Sequence, residues 1–462
     1  MKHLNTHDLF AGIDKHTPFK NDVVVWLGLR AGDYKSISFA YPDSIASTRF
    51  GKDTITIAKQ YDFLSVEQYT KTRTDSSLDE LHPYIGEFLE KFKNNRVHLI
   101  CYHSTLSLEA ILSKFPNINL LNPSAELKNK LDKKSYVRKE LKKVGVNIIP
   151  GYEDKLNNGS FEFAIQKYGL PFFVQFDDSA SGSGSYLIED SNTFKSLAKN
   201  LEGNKAIFMK FIEGKSLNMN IVRTKNFTIL SEPSFQIIGD LDCTVRKFGY
   251  CGNDFNVQSK LSEEEIKGIK NIALKVGEWV GRQGYRGLFG IDFMSDGKNV
   301  YFTEINPRFQ GSTALLVDQQ LRCGRVPLTL FHLAPYLDGV SIDPYSIEDY
   351  NKIKYLDASQ ILLHNTLGGD CTMTSSLSPG RYLFRNGNLK YLGEGNMLSD
   401  VKSTDEIVVA GDIPIEGTKI LRDSDEICRI YSHKDVMDKE GRILNSYGKS
   451  LVNVISSHLN ST

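Results

Sequence analysis

The feature that most constrains this chain is a pair of extended segments whose polar residues stand where a strand should be apolar: GIDFMSDGKNVYFTEINPRFQGST, residues 290–313. It reads as a hairpin, because Asp296 and Gly297 between alternating apolar residues are a strong turn signal. On the second strand a period of two puts Val300, Phe302, Glu304 and Asn306 on one face, so the oxygens of Glu304 and Asn306 point the same way. Asp292 joins them if the loop has odd length. A five-residue loop over 295–299 sets Met294 opposite Val300 and Asp292 opposite Phe302, with Glu304 on the diagonal at roughly 7 Å, within reach of a shared ion. Oxygen donors, two of them carboxylates, suit a hard divalent cation such as magnesium, which also binds phosphates and neutralises charge during phosphoryl transfer.

Upstream lies PFFVQFDDSASGSGSYLIED, residues 171–190, an apolar strand running into Ser179, Ser181, Gly182, Ser183, Gly184 and Ser185. Glycine allows positive φ and close backbone approach, and the hydroxyls add donors, so such a loop can close over phosphates. Taken alone, it reads equally well as an exposed surface loop. In LDKKSYVRKELKKVGVNIIPG the spacing predicts a helix over about 133–144, with Asp132 as its cap and Lys134 on the inward face with Val137 and Leu141. An inward ammonium wants an anion or snorkels to the surface. KAIFMKFIEGKSLNMNIV, residues 205–222, predicts a buried strand over 207–212 that ends in a Glu-Gly turn. CTVRKFGYCGNDF, residues 243–255, gathers Arg246, Lys247, Tyr250 and Cys251, whose cations either orient a substrate carboxylate or face solvent. Arg322 and Arg325 are further anion-binding candidates.

The rest of the chain frames these segments. Between 21 and about 124, short β-branched or apolar runs (23–27, 97–102, 118–121) alternate with helical stretches, an open α/β pattern. Ser262 and Glu265 form a capping box ahead of a stripe of Ile266, Ile269, Ala273, Val276 and Val280. After about Pro344, short strands punctuated by glycine turns lead to a terminal helix expected from about Lys439. A chain of 462 residues exceeds one compact core, and usual domain sizes suggest about three. The divisions expected are 1–125, 126–343 and 344–462. Lys plus Arg equals Asp plus Glu at 56 each, so no charge excess draws the protein to nucleic acid or an acidic bilayer. Six scattered cysteines without a CxxC pair argue against a disulfide framework or a zinc site. With no signal-peptide segment and no run of membrane-span length, a cytoplasmic protein acting on small molecules is expected.

An acidic residue on one strand, Asp292, followed on the next by E-x-N-x-R, here Glu304, Asn306 and Arg308, resembles the magnesium signature of ATP-grasp enzymes. Biotin carboxylase and the peptide-forming amino acid ligases are relatives by this pattern. The tail, with LGEGNMLSDV and DEIVVAGDIPIEGT, is also similar to the C-terminal region of some amino acid ligases. The resemblance implies a multidomain α/β and α+β architecture: an ATP-grasp core at 126–343 with its lid at about 147–208, a Rossmann-like domain before it and a small β-rich domain after it. It implies ATP and Mg2+, or Mn2+ in its place, with the ions held by Asp292, Glu304 and Asn306. Arg308 would steady the charge of an acyl phosphate or tetrahedral intermediate, with Arg246 as a second substrate-side cation. The phosphates would lie under Ser181, Gly182, Ser183 and Gly184, against Lys134 and Gln175. Family members usually carry a lysine where Gln175 stands; glutamine donates a hydrogen bond but adds no Coulomb attraction. Lys210, Phe211 and Ile212 are assigned to the linker that reads the adenine edge, with Glu213, Asn218 or Asn220 near the ribose.

The activity so implied is phosphorylation of a carboxylate, that of an amino acid or small peptide, followed by attack of an amine. The products are an amide, ADP and phosphate, and a homodimer is compatible with the family. A phosphotransferase or carboxylase with another acceptor uses the same ATP site. A nucleotide-binding protein without turnover is the reading that Gln175 favours.

Overall fold

The computed structural model describes residues 2–5, 22–40, 42–73, 77–177, 184–336, 340–343, 347–352, 356–366, 369–421 and 425–461. Strands β1 (Val23–Gly28), β2 (Ser44–Ser47), β3 (Asp62–Ser65), β4 (Val97–Cys101) and β5 (Ile118–Leu120) form a parallel sheet in the order β3-β2-β1-β4-β5. Val24, Val25, Trp26 and Leu27 of β1 and every residue of β4 are buried, as befits parallel strands covered on both faces, whose apolar runs need no alternation. The order reverses between β1 and β4, and doubly wound sheets bind ligands at the carboxyl ends of such strands. A 3-10 turn, Ala31–Ala40, leaves the end of β1, and Tyr102 and His103 leave the end of β4.

Helix α1 (Ala125–Asp132) is followed at once by α2 (Lys134–Lys143). Asp132 is therefore the last residue of α1 and does not cap α2, contrary to expectation: Lys133 turns out of the helix at φ −72° and ψ 103°, and Asp132 pairs with Lys128 at 2.6 Å. The first turn of α2 is capped from a distance instead, where Asp177 accepts the Ser135 amide at 2.7 Å.

Strands β6 (Gly151–Lys155), β7 (Phe172–Gln175), β8 (Ser185–Ile188) and β9 (Lys205–Lys210) form an antiparallel sheet in the order β8-β7-β9-β6. It is covered by α3 (Asn158–Tyr168) and α4 (Ser191–Leu201), which open on side-chain caps from Asn157 and Asp190. Phe161 and Phe194 stack at 4.5 Å in a core that includes Phe172 and Phe208.

A second antiparallel sheet holds β10 (Lys215–Arg223), β11 (Thr228–Ile238), β12 (Tyr250–Asp254), β13 (Gly287–Ser295), β14 (Val300–Asn306), β15 (Ser359–His364), β16 (Gly380–Arg385), β17 (Asn388–Gly393), β18 (Glu406–Ala410) and β19 (Glu426–Ser432). Their order is β14-β13-β10-β11-β12-β15-β19-β18-β16-β17. The sheet does not stop near residue 343: Gly252, Asn253 and Asp254 of β12 pair with Ile361, Gln360 and Ser359 of β15. Helix α5 (Glu263–Arg282) carries the expected capping box and buries Ile269, Ala273, Val276 and Val280 against this sheet. Helix α6 (Thr313–Arg322) follows the hairpin. The terminal helix, α7 (Ser446–Ser456), starts at an Asn445 cap, later than expected, because residues 438–445 form a turn in which Gly441 lies against the Phe235 ring. Among the described residues no helix is long and apolar enough to cross a membrane.

Buried charge ties the parallel sheet to the C-terminal strands. Arg73 pairs with Glu67 at 3.0 Å and donates to the carbonyls of Glu426 (2.8 Å) and Asp412 (2.7 Å). Arg73→Met would strand the Glu67 carboxylate and two carbonyls, and urea denaturation should show a loss of about 3–5 kcal/mol. Adding Glu67→Gln should recover part of it, because the uncompensated charge is then gone.

Candidate functional site

The hairpin closes in a register other than the one expected. Ser295 pairs with Val300, Met294 with Tyr301 and Phe293 with Phe302, leaving a four-residue turn over 296–299. Within it the Asp296 carboxylate accepts the amides of Lys298 (2.9 Å) and Asn299 (2.6 Å), and Gly297 takes φ +86°. Continued unbroken, that register would set Asp292 opposite Thr303 and turn Glu304 to the other face. A β-bulge between Asp292 and Phe293 absorbs the extra residue, and Asp292 pairs directly with Glu304. The bulge also corrects the face assignment on β14. Val300, Phe302 and Ile305 enter the core, whereas Glu304 and Asn306 share the opposite face with Asp292.

Three elements converge on this pair. Asn218 of β10, opposite Asp292 in the sheet, donates Nδ2 to Asp292 Oδ1 at 2.5 Å. Asn306 donates Nδ2 to Asp292 Oδ2 at 3.1 Å. Lys134, at the start of α2, lies 3.7 Å from Glu304 Oε2. Burial, and then the facing charge of Glu304, pushes the Asp292 carboxyl up to about 7, against the hydrogen bonds from Asn218 and Asn306. Asn218 Oδ1 is buried without a hydrogen-bond partner among the described residues, leaving an acceptor on a side chain that touches Asp292.

This chemistry fits a divalent cation. Among the described residues no group of three or more His, Cys, Asp or Glu side chains could hold a metal. A cation here would therefore take two carboxylates, carboxamide oxygen once the Asn306 amide makes a half turn, and its remaining ligands from water and a bound anion. Magnesium binds in that manner, keeping waters and sharing phosphates.

Arg308 stands next to the pair. It donates to Tyr102 Oη, Asn306 Oδ1 and the Phe309 carbonyl, each at 3.1 Å. Burial opposes its charge, but Tyr102, Asp132, Asp292 and Glu304 together hold its pKa above the ordinary arginine value. Gln310 braces this turn by donating to the Arg308 carbonyl at 3.1 Å, and it fits because Gly290 has no side chain: a Cβ there would lie 2.3 Å from Gln310 Cδ. The sequence reading missed Gln310 and Tyr102 as site residues. Gln310, two residues beyond Arg308 and facing a strand glycine, carried a signal; Tyr102 carried none, since only the fold brings it here.

The remaining candidates are spread around this centre. Gln175 ends β7 and donates to Ser185 Oγ at 3.2 Å, and the Gly184 carbonyl accepts the Phe176 amide at 3.0 Å. Ser181, Gly182 and Ser183 lie outside the described residues. Lys210 ends β9, so Phe211 and Ile212 fall beyond the strand expected to hold them. Ile212 packs with Ile149, Ile207, Met209, Met294 and Tyr301, an apolar strip on the face of the hairpin that bears Asp292. Glu213 is exposed and pairs with Arg442 at 2.9 Å. Asn220 serves internal bonding, from its Nδ2 to Ser312 Oγ at 3.2 Å. Arg246 is half-buried in the β11–β12 loop, whose Lys247 pairs with Glu189 at 2.7 Å and whose Phe248 meets Phe173 edge-on at 4.9 Å. Arg322 lies against His433 and Arg325 against Glu232. The structure thus gathers Lys134, Asn218, Asp292, Glu304, Asn306 and Arg308, sets Arg322 and Arg325 in other contacts, and leaves Arg246 half-buried in the β11–β12 loop.

Residues 131–312 match the ATP-grasp domain family. The chain is 26% identical over 278 residues to Biotin carboxylase 2 of Bacillus subtilis, covering 56% of this chain and 57% of that protein. It is 28% identical over 206 residues to the formate-dependent phosphoribosylglycinamide formyltransferase of Prochlorococcus marinus, covering 37% of this chain and 49% of that protein. The chain thus spans about half the length of these curated relatives. Among solved structures, the biotin carboxylase domain of the Hydrogenobacter thermophilus 2-oxoglutarate carboxylase, a dimer with MgADP, ADP and bicarbonate, is similar at a TM-score of 0.59 and 13% identity. That likeness covers 96% of this chain and 91% of that one, and it is one of fold.

The Asp292 carboxyl at about 7 compares with about 4 for a free aspartate. A raised carboxyl stabilises the folded state fully below the free value, and that contribution is lost as the pH rises through the folded value. A cation that binds the ionised pair offsets the loss. Magnesium should therefore raise the melting temperature more at pH 8 than at pH 6, and Asp292→Asn should abolish the difference. Equal increments at the two pH values in the unaltered protein would contradict this.

Proposed function

We propose, from the premise that the chain carries an ATP-grasp domain over residues 131–312, that it is an ADP-forming ligase joining a carboxylate to an amine. The observation that carries the reading is the Asp292, Glu304 and Asn306 cluster with Arg308 and Lys134 beside it. In this reading 1–125 is an α/β domain, 126–343 the ATP-grasp core with its lid at about 147–208, and 344–462 a β-rich domain.

ATP would lie between the β6–β9 sheet and the hairpin. Its adenine would rest on the strip of Ile207, Met209, Ile212 and Met294, near the backbone of Lys210 and Phe211. Its phosphates would run toward Lys134, Gln175 and the loop of Ser181, Gly182, Ser183 and Gly184. Gln175 is neutral, so Lys134 and Arg308 supply the positive charge. Magnesium or manganese, held by Asp292, Glu304 and Asn306, would neutralise charge as the phosphoryl group moves. Arg308, fixed by Tyr102 and Asn306, would orient the substrate carboxylate, with Arg246 as an outer cation. A carboxylate oxygen attacks the γ-phosphorus and ADP leaves. The amine nitrogen then attacks the acyl carbon, the bond to phosphate breaks, and the N–H proton goes to the departing phosphate. Arg308 would stabilise the oxyanion between these events, and positioning supplies much of the rate without a nucleophilic side chain.

Formate, named by one relative, is a carboxylate, which supports the acyl half of the reading. The biotin carboxylase relatives, one of them bound to bicarbonate, support a second reading in which bicarbonate is the carboxylate and a carboxylated product forms. A cytoplasmic homodimer acting on small molecules suits both. Phosphate release should be measured with amino acids singly and in pairs and with bicarbonate, with mass detection of the products. Amine-dependent release with an amide product is expected, and Glu304→Ala should lower kcat by about 100-fold or more. Full activity in that variant would overturn the assignment, and release that needs bicarbonate but no amine would favour the carboxylase.

A further inference from the structure

The fold sets beside the Arg308 centre one imidazole that this mechanism does not use. Tyr102 and His103 leave the carboxyl end of β4, where doubly wound sheets take their ligands. Both neighbours of His103 are anchored. The Tyr102 amide donates to the Leu27 carbonyl of β1 at 2.8 Å, its carbonyl accepts the Phe309 amide at 3.1 Å, and its hydroxyl accepts Arg308 Nη1 at 3.1 Å. On the other side, Ser104 Oγ donates to the Pro123 carbonyl at 2.7 Å. His103 itself is half-buried, with its ring edge-on to that of Tyr102 at 5.8 Å. Its Nδ1 is buried without a hydrogen-bond partner among the described residues.

The surroundings keep this ring uncharged. Desolvation, and then the charges of Lys128 on α1 and of Arg308, push it down to about 3. Arg308 keeps its own charge, with its pKa held above the ordinary arginine value, and Lys128 pairs with Asp132 at 2.6 Å. Two cations and a neutral imidazole therefore share one place. A neutral imidazole carries a single proton, and the nitrogen that bears it needs an acceptor. Nδ1 has none, and a buried N–H is a costlier orphan than a bare lone pair, so hydrogen bonding assigns the proton to Nε2. A neutral N–H donor suits an oxygen on which negative charge grows. Unlike an imidazolium, it does not surrender its proton to an incoming amine.

We propose that His103 is a catalytic residue of the acyl transfer, donating its Nε2–H to the acyl oxygen as that oxygen gains charge beside Arg308. The inference rests on the ligase reading. Arg308 and Lys128 attract the charge, and the imidazole adds a hydrogen bond that strengthens when the amine adds to the acyl carbon. Its proton stays on Nε2 throughout. The amine nitrogen forms the C–N bond, the acyl–phosphate bond breaks with its electron pair on phosphate, and the amine's proton leaves with phosphate.

Two measurements test this. In protein carrying isotope-labelled histidine, the ring signals that vanish in His103→Gln identify this residue, and nitrogen NMR at pH 7 should report a neutral ring protonated at Nε2. In rapid-quench assays with ATP, Mg2+ and the amino acid pair that releases phosphate fastest, His103→Ala should leave first-turnover ADP formation and KM for ATP unchanged. It should lower the rate of amide formation by about 100-fold. His103→Gln, whose carboxamide carries N–H groups, should recover part of that loss. A charged ring, a proton on Nδ1, equal losses of ADP and amide formation, or undiminished amide formation would each overturn the proposal. Absence of phosphate release by the unaltered protein with every amino acid pair would overturn the ligase reading, and the proposal with it.

Discussion

Two half-buried carboxylates held face to face are the constraint around which the rest of this structure is arranged. Asp292 and Glu304 repel one another, and partial burial strengthens that repulsion by removing part of the solvent that would screen it. One of them accordingly stays protonated up to about neutral pH. Asn218, Asn306 and Lys134 moderate the repulsion from three directions. None of them cancels it as a divalent ion would, and the presence of Arg308 alongside makes the place suited to a second, anionic visitor. The geometry depends on a single inserted residue. Without the bulge at Thr303 the same sequence would point Glu304 away from Asp292.

Much of this was legible from the letters. The open α/β start, the capped helix from Ser262 and the polar hairpin follow from periodicity and turn chemistry, which act within a few residues. The hairpin register did not follow, because a bulge has no composition of its own: Thr303 looks like any strand residue, and only the packing of Val300, Phe302 and Ile305 into one core fixes where the extra residue goes. The break at Lys133 was hidden for a similar reason, since lysine neither ends nor prolongs a helix by itself and the cap of the next helix comes from Asp177, far along the chain. Tyr102 and Arg429 reach the site only through long-range sheet pairing. Asn218 was expected near a ribose, and the strand pairing that sets it against Asp292 is likewise non-local.

Buried ionic contacts then fix how the C-terminal strands sit against the first sheet. Arg30 and Arg49 both reach Glu426, at 2.9 and 3.4 Å, while Arg73 spans Glu67 and the Asp412 carbonyl. Burial and the nearby Asp53 carboxylate also push Asp412 up to about 7. Such pairs add little net stability over apolar packing of the same volume. Their geometry is nonetheless specific, and it sets Arg429 on the Gly311 carbonyl at the far end of the turn that carries Arg308. The parallel sheet, the hairpin and the C-terminal strands are in this way held in one relation around the face that bears the carboxylates.

The most direct measurement is electron paramagnetic resonance of Mn2+ titrated into the protein with a non-hydrolysable ATP analogue. The free-ion signal should be quenched at the unaltered site, more strongly with the nucleotide than without it, and should persist in Asp292→Asn and in Glu304→Gln. Undiminished quenching in both variants would show that these carboxylates do not hold the cation.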